Sequence, residues 1–369
     1  MRCGQRLVSR LLEPARFGEI DAANRIVMAP LTRGRAGEDG MPQPVMIDYY
    51  RQRASAGLII SEATSITRHG LGWVGAPGIW SDPQVAAWQS ITRAVHDAGG
   101  RIVVQLWHMG RLSHPDFTGL QPVSCSSILA PGTVPVPSGE RKPYVKPRAL
   151  DLHEIAALVD DYVHAAVNAM RAGFDGVEVH AANGYLLDQF LRDSSNLRND
   201  RYGGSIANRM RFLMEVTDAV ADAIGAGRVG VRLSPNGESR GVDDSEPELL
   251  FTAVAAALNE RGLAYLHLRE QNPDSLYSPS DVPHLSPSIR PVFDGPLILS
   301  GDYTPYSATQ AVASRSADAI AFGRPFIANP DLVHRIATGL PIAEPNAATF
   351  YTPGPIGYVD YPAWQKELG

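Results

Sequence analysis

Polar side chains of the kinds that bind and polarise small molecules stand in this sequence at the ends of short apolar runs. His180 and Asn183 lie three residues apart just after one such run, so that both can direct hydrogen-bond donors to one point. Gln105 and Arg232 stand in other apolar runs, where a buried polar group needs a partner. These residues predict a site that several segments of the chain build together.

Two glycine-containing turns could hold a phosphate group. Gly301 and Asp302 follow one apolar run, and Gly323 and Arg324 follow another. Glycine lets a ligand approach the backbone closely, and arginine binds phosphate oxygens in pairs. The glycines could instead merely turn the chain. We favour the phosphate, because barrels often bind one with the loops after their seventh and eighth strands.

Eight short apolar or β-branched runs carry these side chains and predict buried strands. The clearest helix pattern between runs is 151–172, where Asp151 can cap and Glu154 follows three residues later. Strands that alternate with helices in this number predict an α/β fold, a (β/α)8 TIM barrel, rather than an open doubly wound sheet. The runs are 25–30, 57–62, 101–107, 174–180, 228–233, 264–268, 296–300 and 318–322; further helix patterns lie at 83–98, 205–224, 246–261, 305–315 and 330–338.

The chain of 369 residues is longer than the about 250 residues of a typical barrel. We predict a single domain over 1–369 with additions outside the repeat, at 1–24, 108–150, 271–292 and 341–369. The proline-dotted segment 108–150 follows the third strand and is too long for an ordinary loop. It predicts a lid, an excursion over the end of the barrel where functional side chains lie.

Composition excludes several classes of protein. There are 33 Lys and Arg against 39 Asp and Glu, a net charge of −6, with no basic run that could follow a nucleic-acid backbone. Two cysteines, Cys3 and Cys125, cannot build a disulfide framework, a cysteine-rich zinc site or an iron–sulfur cluster. The N-terminus lacks a signal-peptide core, and no run reaches the roughly 18–20 apolar residues of a membrane span. We therefore expect a cytoplasmic protein without a metal.

Three further motifs resemble chemical sites but favour structural interpretations. The string GLGWVG at 70–75 matches a dinucleotide fingerprint, but it does not follow a strand directly and Pro77 would break the required helix. A glycine-rich surface loop is the simpler interpretation. Ser205 is expected to cap a helix rather than act as a nucleophile. His108 and His114 have no partner at metal-binding spacing and are expected to be solvated loop histidines.

Five ordered blocks of the sequence form one combined pattern. They are NRIVMAPLTR at 24–33, QLWHMGR at 105–111, HAANGYLLDQF at 180–190, RYGGS at 201–205 with NR at 208–209, and FGRP at 322–325. The combination resembles the old yellow enzymes, the FMN-dependent ene-reductases, over about residues 10–365. The resemblance implies the same barrel and a non-covalently held FMN that NADPH or NADH reduces.

The resemblance also implies which residues hold the cofactor. Thr32 would donate its hydroxyl to a flavin carbonyl, Gln105 would bind the pyrimidine edge, and Arg232 would lie beside the ring nitrogen that becomes anionic on reduction. A fixed cation there favours the reduced flavin. Pro30 and Ala63 would offer backbone contacts, and the phosphate would be surrounded by Gly301, Asp302, Gly323 and Arg324.

For catalysis, the resemblance implies that His180 and Asn183 hold the oxygen of a carbonyl or nitro group. Hydride from the flavin would then reach the β carbon of the conjugated alkene, and Tyr185 would protonate the α carbon. Trp107 and Tyr351 are the further substrate-binding candidates. After Tyr351, where relatives are glycine-rich, this chain has TPGP at 352–355, which stiffens the backbone.

The predicted function is therefore NAD(P)H-dependent reduction of activated alkenes such as enones, nitroalkenes or maleimides. Reduction mainly of nitrate esters or nitroaromatics, and a non-catalytic flavin-binding redox sensor, remain alternatives. The related dienoyl-thioester reductases carry an iron–sulfur cluster, which two cysteines cannot supply. We expect a monomer or homodimer whose partners are the alkene and NAD(P)H, with no nucleic acid and no membrane.

Overall fold

A closed barrel of eight parallel strands forms the centre of the computed structural model, which describes residues 10–275 and 279–364. β8 pairs with β1 and so completes the circle. In chain order the strands are β1 (Ile26–Met28), β2 (Leu58–Ser65), β3 (Ile102–Trp107), β4 (Gly176–Ala181), β5 (Val229–Leu233), β6 (Tyr265–Arg269), β7 (Leu297–Ser300) and β8 (Ala319–Phe322). Each predicted run overlaps one of these strands, which confirms the predicted α/β barrel.

A helix follows each strand on the outside of the barrel. These helices are α1 (Val45–Arg51), α2 (Asp82–Asp97), α3 (Leu152–Arg171), α4 (Arg211–Ile224), α5 (Pro247–Asn259), α6 (Ser286–Ile289), α7 (Pro305–Ala313) and α8 (Leu332–Thr338). The pattern at 205–224 is divided at Met210 into Ile206–Arg209 and α4. The short α1 and α6 were not predicted. No helix in the described ranges is long and apolar enough to cross a membrane.

The start of α3 shows how local sequence positions a helix. The Asp151 carboxylate accepts hydrogen bonds from the backbone N–H groups of His153 and Glu154, at 3.1 and 2.9 Å. The Glu154 carboxylate accepts in return from the Asp151 N–H at 2.9 Å. Both interactions satisfy donors that a helix start leaves unpaired. The predicted capping is confirmed, and the apolar face that includes Ile155 and Tyr162 is buried.

An N-terminal hairpin closes the amino-terminal end of the barrel. Its strands, Ala15–Phe17 and Ile20–Ala22, pair antiparallel. The Phe17 ring meets the Tyr265 ring edge to face, with 6.1 Å between centroids. Tyr265 fills space that exists because Gly230 has no side chain: a Cβ there would lie 2.2 Å from the Tyr265 ring. This end of the barrel is a packed apolar core.

The segment 108–150 leaves the barrel after β3 and contains short regular elements. Val123–Ser124 pairs in parallel with Arg148–Ala149, and Thr133–Pro135 forms a hairpin with Arg141–Pro143. Ala130, inside this segment, belongs to the same apolar cluster as Trp107 and Tyr185, and Tyr144 packs against that cluster. The excursion therefore lies against the carboxyl-terminal end of β3, at the mouth of the barrel.

Two arginines after β1 hold the C-terminal segment. Arg33 donates to the backbone oxygens of Phe350 and Gly357, at 3.1 and 2.6 Å. Arg35 donates to Thr349 and Ile356 oxygens, both at 3.0 Å. Both cations are buried, and charge-assisted hydrogen bonds of this kind are stronger than neutral ones. The stretch that carries Tyr351 is thus fixed to the rim of the barrel.

Candidate active site

A layer of polar side chains crosses the barrel interior near the carboxyl ends of β3 to β6. The strand register pairs Gln105 with Glu178, His180 with Arg232, and Arg232 with His267. The Gln105 amide donates to Glu178 Oε1 at 2.7 Å, and His267 Nδ1 lies 2.8 Å from Glu178 Oε2. All five side chains are buried. Four neighbouring strands therefore bring together groups that are distant in the sequence.

The charges in this layer are set by burial and by the neighbouring groups. Burial alone would raise the pKa of Glu178, but His267, Arg232 and the Gln105 hydrogen bond hold it below its usual value. Burial, with the charge of Arg232 added, lowers the pKa of His180 well below its usual value. At neutral pH His180 is an uncharged imidazole, which keeps one N–H donor.

Several buried polar atoms at this end have no hydrogen-bond partner within the described residues. They include Trp107 Nε1, His180 Nδ1, Arg232 Nε and His267 Nε2. A buried polar atom left unpaired costs about 1–3 kcal/mol, so native proteins rarely keep several in one place without a use. The cluster indicates a ligand that supplies the missing partners.

The turn after β4 aims the amide of Asn183. Its backbone is left-handed, with φ of 59°, and its N–H donates to Ser234 Oγ at 2.8 Å. Arg269 Nη1 donates to Asn183 Oδ1 at 3.0 Å. Because the amide oxygen is engaged by Arg269, the amide N–H groups are directed elsewhere. Asparagine tolerates this left-handed conformation better than most residues, so the local sequence suits the turn.

Tyr185 lies between the two predicted donors and the excursion. Its ring centroid is 5.1 Å from that of His180 and 5.0 Å from that of Trp107, the latter edge to face at 86°. The side chain is 8% exposed, so water reaches little of it. The structure thus brings the Tyr185 ring into contact with both His180 and Trp107, and Asn183 lies on the turn between His180 and Tyr185.

A cavity of about 470 Å³ opens beside this cluster. It extends from the end of β1, past Asn183 and Arg232, to the loops after β7 and β8. Of the predicted site residues, those that line it are Pro30, Thr32, Asn183, Arg232, Gly301, Asp302, Gly323, Arg324 and Tyr351. The remaining predicted residues are not among those that line this cavity, but they are connected to one another. Ala63 is the register partner of Gln105 and shares an apolar cluster with Trp107 and Tyr185, and the Tyr185 ring contacts His180.

The two glycine turns meet at one end of the cavity. A Cβ on Gly301 would lie 2.6 Å from the Glu270 carbonyl oxygen, so only glycine fits the observed backbone. On Gly323 a Cβ would come no closer than 3.4 Å to another side chain, so this turn is less crowded. The Asp302 carboxylate forms an ion pair with the Arg324 guanidinium. The charge of Arg324 is thus partly balanced where a phosphate was predicted.

These features fit FMN better than a metal. The cavity volume lies within the range of about 300–1,000 Å³ that small-molecule sites occupy. Arg232 lines this cavity, and its Nε has no hydrogen-bond partner among the described residues. The glycine turns and Arg324 line the same cavity. In the described part of the chain, no group of three or more His, Cys, Asp or Glu side chains could hold a metal ion.

Several residues at this site were not predicted from the sequence. Glu178 and His267 complete the polar layer, and Arg269 and Arg240 contact Asn183 and Tyr185. The spacing of His267 and Arg269 was a usable signal, because residues two apart on a strand face the same side. His267 stands in the apolar run 264–268 and Arg269 directly follows it. The residues next to Glu178 and Arg240 in the sequence gave no signal that predicted which side chains they contact.

The glycine-rich string at 70–75 also contributes to the site. The Trp73 ring lies 5.3 Å from the Tyr351 ring. A Cβ on Gly72 would lie 2.8 Å from the Ser113 Cα, so the loop packs tightly on the excursion. The prediction of a plain surface loop was therefore incomplete, although no dinucleotide helix follows the string.

The prediction of solvated histidines on the excursion was wrong. His108 is buried, its Nδ1 accepts from the Gly110 N–H at 3.0 Å, and burial lowers its pKa to about 3. His114 is also buried, and its Nδ1 caps the short helix Pro115–Thr118. Both are covered because the excursion folds back on the barrel. The capping role of Ser205 is confirmed by its hydrogen bond from the Asn208 N–H.

Comparison with known proteins gives a consistent result. Residues 10–343 match the family described as NADH:flavin oxidoreductase / NADH oxidase. The chain is 41% identical over 360 residues to 12-oxophytodienoate reductase 2 of Arabidopsis thaliana, with 96% of each chain covered. It is 42% identical over 365 residues to a chanoclavine-I aldehyde reductase of Penicillium roqueforti, again with 96% of each covered.

Solved structures agree with the sequence relatives. The old yellow enzyme homologue of Zymomonas mobilis superposes with a TM-score of 0.95 at 54% identity, covering 96% of this chain and 99% of the other. Morphinone reductase in complex with tetrahydroNAD superposes with a TM-score of 0.91 at 46% identity, covering 97% and 99%. Similarity at this level extends over the whole barrel and its additions.

Proposed function

Since the chain belongs to the NADH:flavin oxidoreductase / NADH oxidase family, which includes the old yellow enzymes, we propose roles for its residues in an FMN-dependent reduction of activated alkenes. The protein is an NAD(P)H-dependent ene-reductase with non-covalent FMN. Bound FMN supplies the acceptor for hydride from NAD(P)H and the donor of hydride to the alkene. The observation that carries the residue roles is the convergence of His180, Asn183 and Tyr185 around an unpaired buried imidazole nitrogen.

The first set of roles concerns the flavin ring. Thr32 donates its hydroxyl to a ring carbonyl, and Gln105 binds the polar edge of the ring with its amide. Arg232 holds a positive charge against the ring, which its unsatisfied Nε supports. Glu178 is 2.7 Å from the Gln105 amide and so positions it. Pro30 and Ala63 contribute backbone contacts.

The second set concerns the phosphate of FMN. Gly301 and Gly323 offer backbone close to the ligand, and Arg324 offers a cation. A phosphate must share Arg324 with the Asp302 carboxylate, because the two form an ion pair. We expect Asp302 to contribute through its backbone N–H, since its carboxylate would repel the phosphate.

The third set concerns the substrate. His180 and Asn183 donate hydrogen bonds to the oxygen that activates the alkene, and the negative charge that develops there is stabilised by donors already in position. Arg269 positions the Asn183 amide through its oxygen. The neutral state of His180 leaves no buried charge to be neutralised before the substrate binds.

Tyr185 is the proposed general acid. Its phenol protonates the α carbon, and its place between His180 and Trp107 fixes the direction from which the proton arrives. Trp107 and Tyr351 form two walls for the substrate, and the excursion 108–150 acts as a lid that limits water. Tyr351 is half exposed and lines the cavity, which supports a place at the entrance.

The carbonyl compounds are the favoured substrate class. The relatives are named for 12-oxophytodienoate and chanoclavine-I aldehyde, and both names denote carbonyl groups. Paired neutral donors suit a carbonyl oxygen that gains charge during the reaction. We further propose a cytoplasmic monomer or homodimer that binds neither nucleic acid nor membrane. The net charge of −6 disfavours binding to a nucleic-acid backbone, and none of the described helices is suited to cross a membrane.

The test separates the two halves of the reaction. Under anaerobic conditions NADPH should bleach the yellow protein, and 2-cyclohexenone should restore the colour. Tyr185→Phe should slow recolouring about 100-fold and leave bleaching unchanged, because only the second half needs the proton. Stopped-flow absorbance measures both rates.

The exposed Tyr306 provides a matched control, since Tyr306→Phe should change neither rate. Equal slowing of both halves by Tyr185→Phe would contradict the proton-donor role. A protein that is bleached by NADPH but recoloured by no alkene would favour the redox-sensor alternative.

A further inference from the structure

One arginine at the mouth has no role in the proposed reaction. Arg240 lies in the loop after β5 and is exposed. Its guanidinium carbon is 5.2 Å from the centre of the Tyr185 ring and 6.0 Å from the Trp73 ring. Cation–π attraction therefore holds a permanent positive charge beside the proposed proton donor.

The backbone of the loop does not by itself favour arginine. Ser239 and Val242 exchange backbone hydrogen bonds at 2.9 and 3.0 Å, and the two residues between them, Arg240 and Gly241, have φ of 56° and 75°. Two positive φ values in a two-residue turn are typical of type I′, which prefers asparagine, aspartate or glycine. Because the backbone does not favour arginine at the first position of this turn, we attribute the presence of Arg240 to its side chain.

Contacts with the rest of the mouth fix the position of this turn. Arg111 Nη2 donates to the backbone oxygens of Gly241 and Arg240, at 2.7 and 3.3 Å. On the other side the turn packs against Gly184, where a Cβ would lie 2.5 Å from the Ser239 oxygen. Because Gly184 directly precedes Tyr185, the guanidinium is held at a defined place relative to the reacting groups.

The carboxylates described around the mouth are engaged by groups other than the Arg240 side chain. Asp302 pairs with Arg324, and Glu178 pairs with His267. None of the ion pairs between described residues includes Arg240. The charges of Arg232, Arg240 and Arg269 all act on His180, so three cations lie close together here. The Glu238 carboxylate of the same loop accepts from the Gly241 N–H. In a chain with a net charge of −6, this rim carries a local excess of positive charge that attracts anions.

We propose that Arg240 is a specificity residue that selects activated alkenes bearing a carboxylate remote from the reacting double bond. The inference rests on the proposed function of the same site. His180 and Asn183 would fix the activating oxygen, and the carboxylate would lie on the Tyr185 side, at the guanidinium. Since exposed ion pairs contribute little each, we expect a selectivity of roughly fivefold rather than an absolute requirement.

The experiment compares one substrate in two charge states. A cyclopentenone with a short carboxyalkyl chain and its methyl ester are reduced by the FMN-loaded enzyme, and the ratio of their kcat/KM values is the readout. Arg240→Gln should lower the acid-to-ester ratio roughly fivefold, mainly through KM, and 0.5 M salt should lower the wild-type ratio in the same way. Arg240→Lys should keep part of the selectivity.

Two further variants separate charge from structure. Arg240→Asn removes the charge but suits the left-handed turn, so it should lower the ratio as much as Arg240→Gln. Arg16→Gln removes an exposed arginine from the N-terminal hairpin, at the opposite end of the barrel, and should leave the ratio unchanged.

The outcomes distinguish the inference from the function on which it rests. An unchanged acid-to-ester ratio in Arg240→Gln overturns the role of Arg240 while alkene reduction still stands. Slower bleaching by NADPH but not by NADH, with an unchanged ratio, would assign Arg240 to the coenzyme phosphate and also overturn it. Failure of the wild-type enzyme to reduce either alkene would reject the proposed function itself.

Discussion

The two ends of the barrel interior differ in chemistry although the same strands build both. At the amino-terminal end the inward positions are apolar, and Phe17 and Ile20 of the hairpin pack on Tyr265 and Ile298. Towards the carboxyl-terminal ends of β3 to β6 a layer of polar and charged side chains replaces the apolar ones, and several of its atoms have no hydrogen-bond partner among the described residues. For example, Val103 is followed two positions later on β3 by Gln105.

The difference separates the end of the barrel that stabilises the fold from the end that binds ligands. Apolar packing stabilises the fold by about 25 cal/mol per Å² of buried surface, whereas unpaired buried polar atoms cost free energy. The amino-terminal end therefore supports the barrel, and the mouth accepts a loss of stability that a ligand can recover. Substitutions should lower stability at the first end and affect ligands, or even raise stability, at the second.

The largest effect is expected at the amino-terminal end. Gly230→Val places a Cβ 2.2 Å from the Tyr265 ring, so that the ring must leave its site. We expect a loss of about 4 kcal/mol in the free energy of unfolding, measured by urea denaturation with saturating FMN. Adding Tyr265→Ala should restore part of the loss by making room. A loss below about 1 kcal/mol in Gly230→Val would contradict the packing argument.

Glu62 is a buried carboxyl on β2, and its contribution to stability should depend on pH. Glu62 Oε1 accepts from the Tyr50 hydroxyl at 3.2 Å and Oε2 from the Arg33 N–H at 3.3 Å. Burial nevertheless raises its pKa from 4.5 to about 7. Between these values the folded protein binds a proton that the unfolded chain releases, so the stability from this group falls as pH rises from 4.5 to 7.

Glu62→Gln removes this titration. The wild type should lose about 3 kcal/mol from this group between pH 4.5 and 8, and the variant should lack that part of the pH dependence. Other groups titrate equally in both proteins, so the difference between their urea-denaturation curves isolates Glu62. Parallel pH profiles for the two proteins would show that Glu62 keeps an ordinary pKa.

The smallest change in stability is expected at the paired donors. Replacing both His180 and Asn183 by Ala should weaken binding of a phenol such as 4-hydroxybenzaldehyde about 100-fold, because two preorganised hydrogen bonds are lost. The free energy of unfolding should change by less than about 1 kcal/mol, since the His180 Nδ1 has no hydrogen-bond partner among the described residues. Absorbance titration and urea denaturation measure the two quantities. Exposed His153→Ala serves as the control, and unchanged phenol affinity in the double variant would remove the pair from the site.

Much of the architecture was accessible from the sequence because it depends on local patterns. Each of the eight apolar runs overlaps a barrel strand, and Asp151 and Glu154 indicate the start of α3. Short elements such as α1 and α6 were missed, since a few residues give no clear periodicity. His108 and His114 were misjudged, because their burial depends on how a long excursion packs rather than on neighbouring residues.

The sequence by itself determined the alternation of strands and helices, the blocks that resemble a known family, and the residue types available at each strand end. Only the tertiary structure decided which of these groups meet: Glu178 between Gln105 and His267, Arg269 on Asn183, and Arg240 over Tyr185. The physical reason is register. A strand's period fixes which side a residue faces, but only barrel closure fixes which residue of the next strand stands beside it.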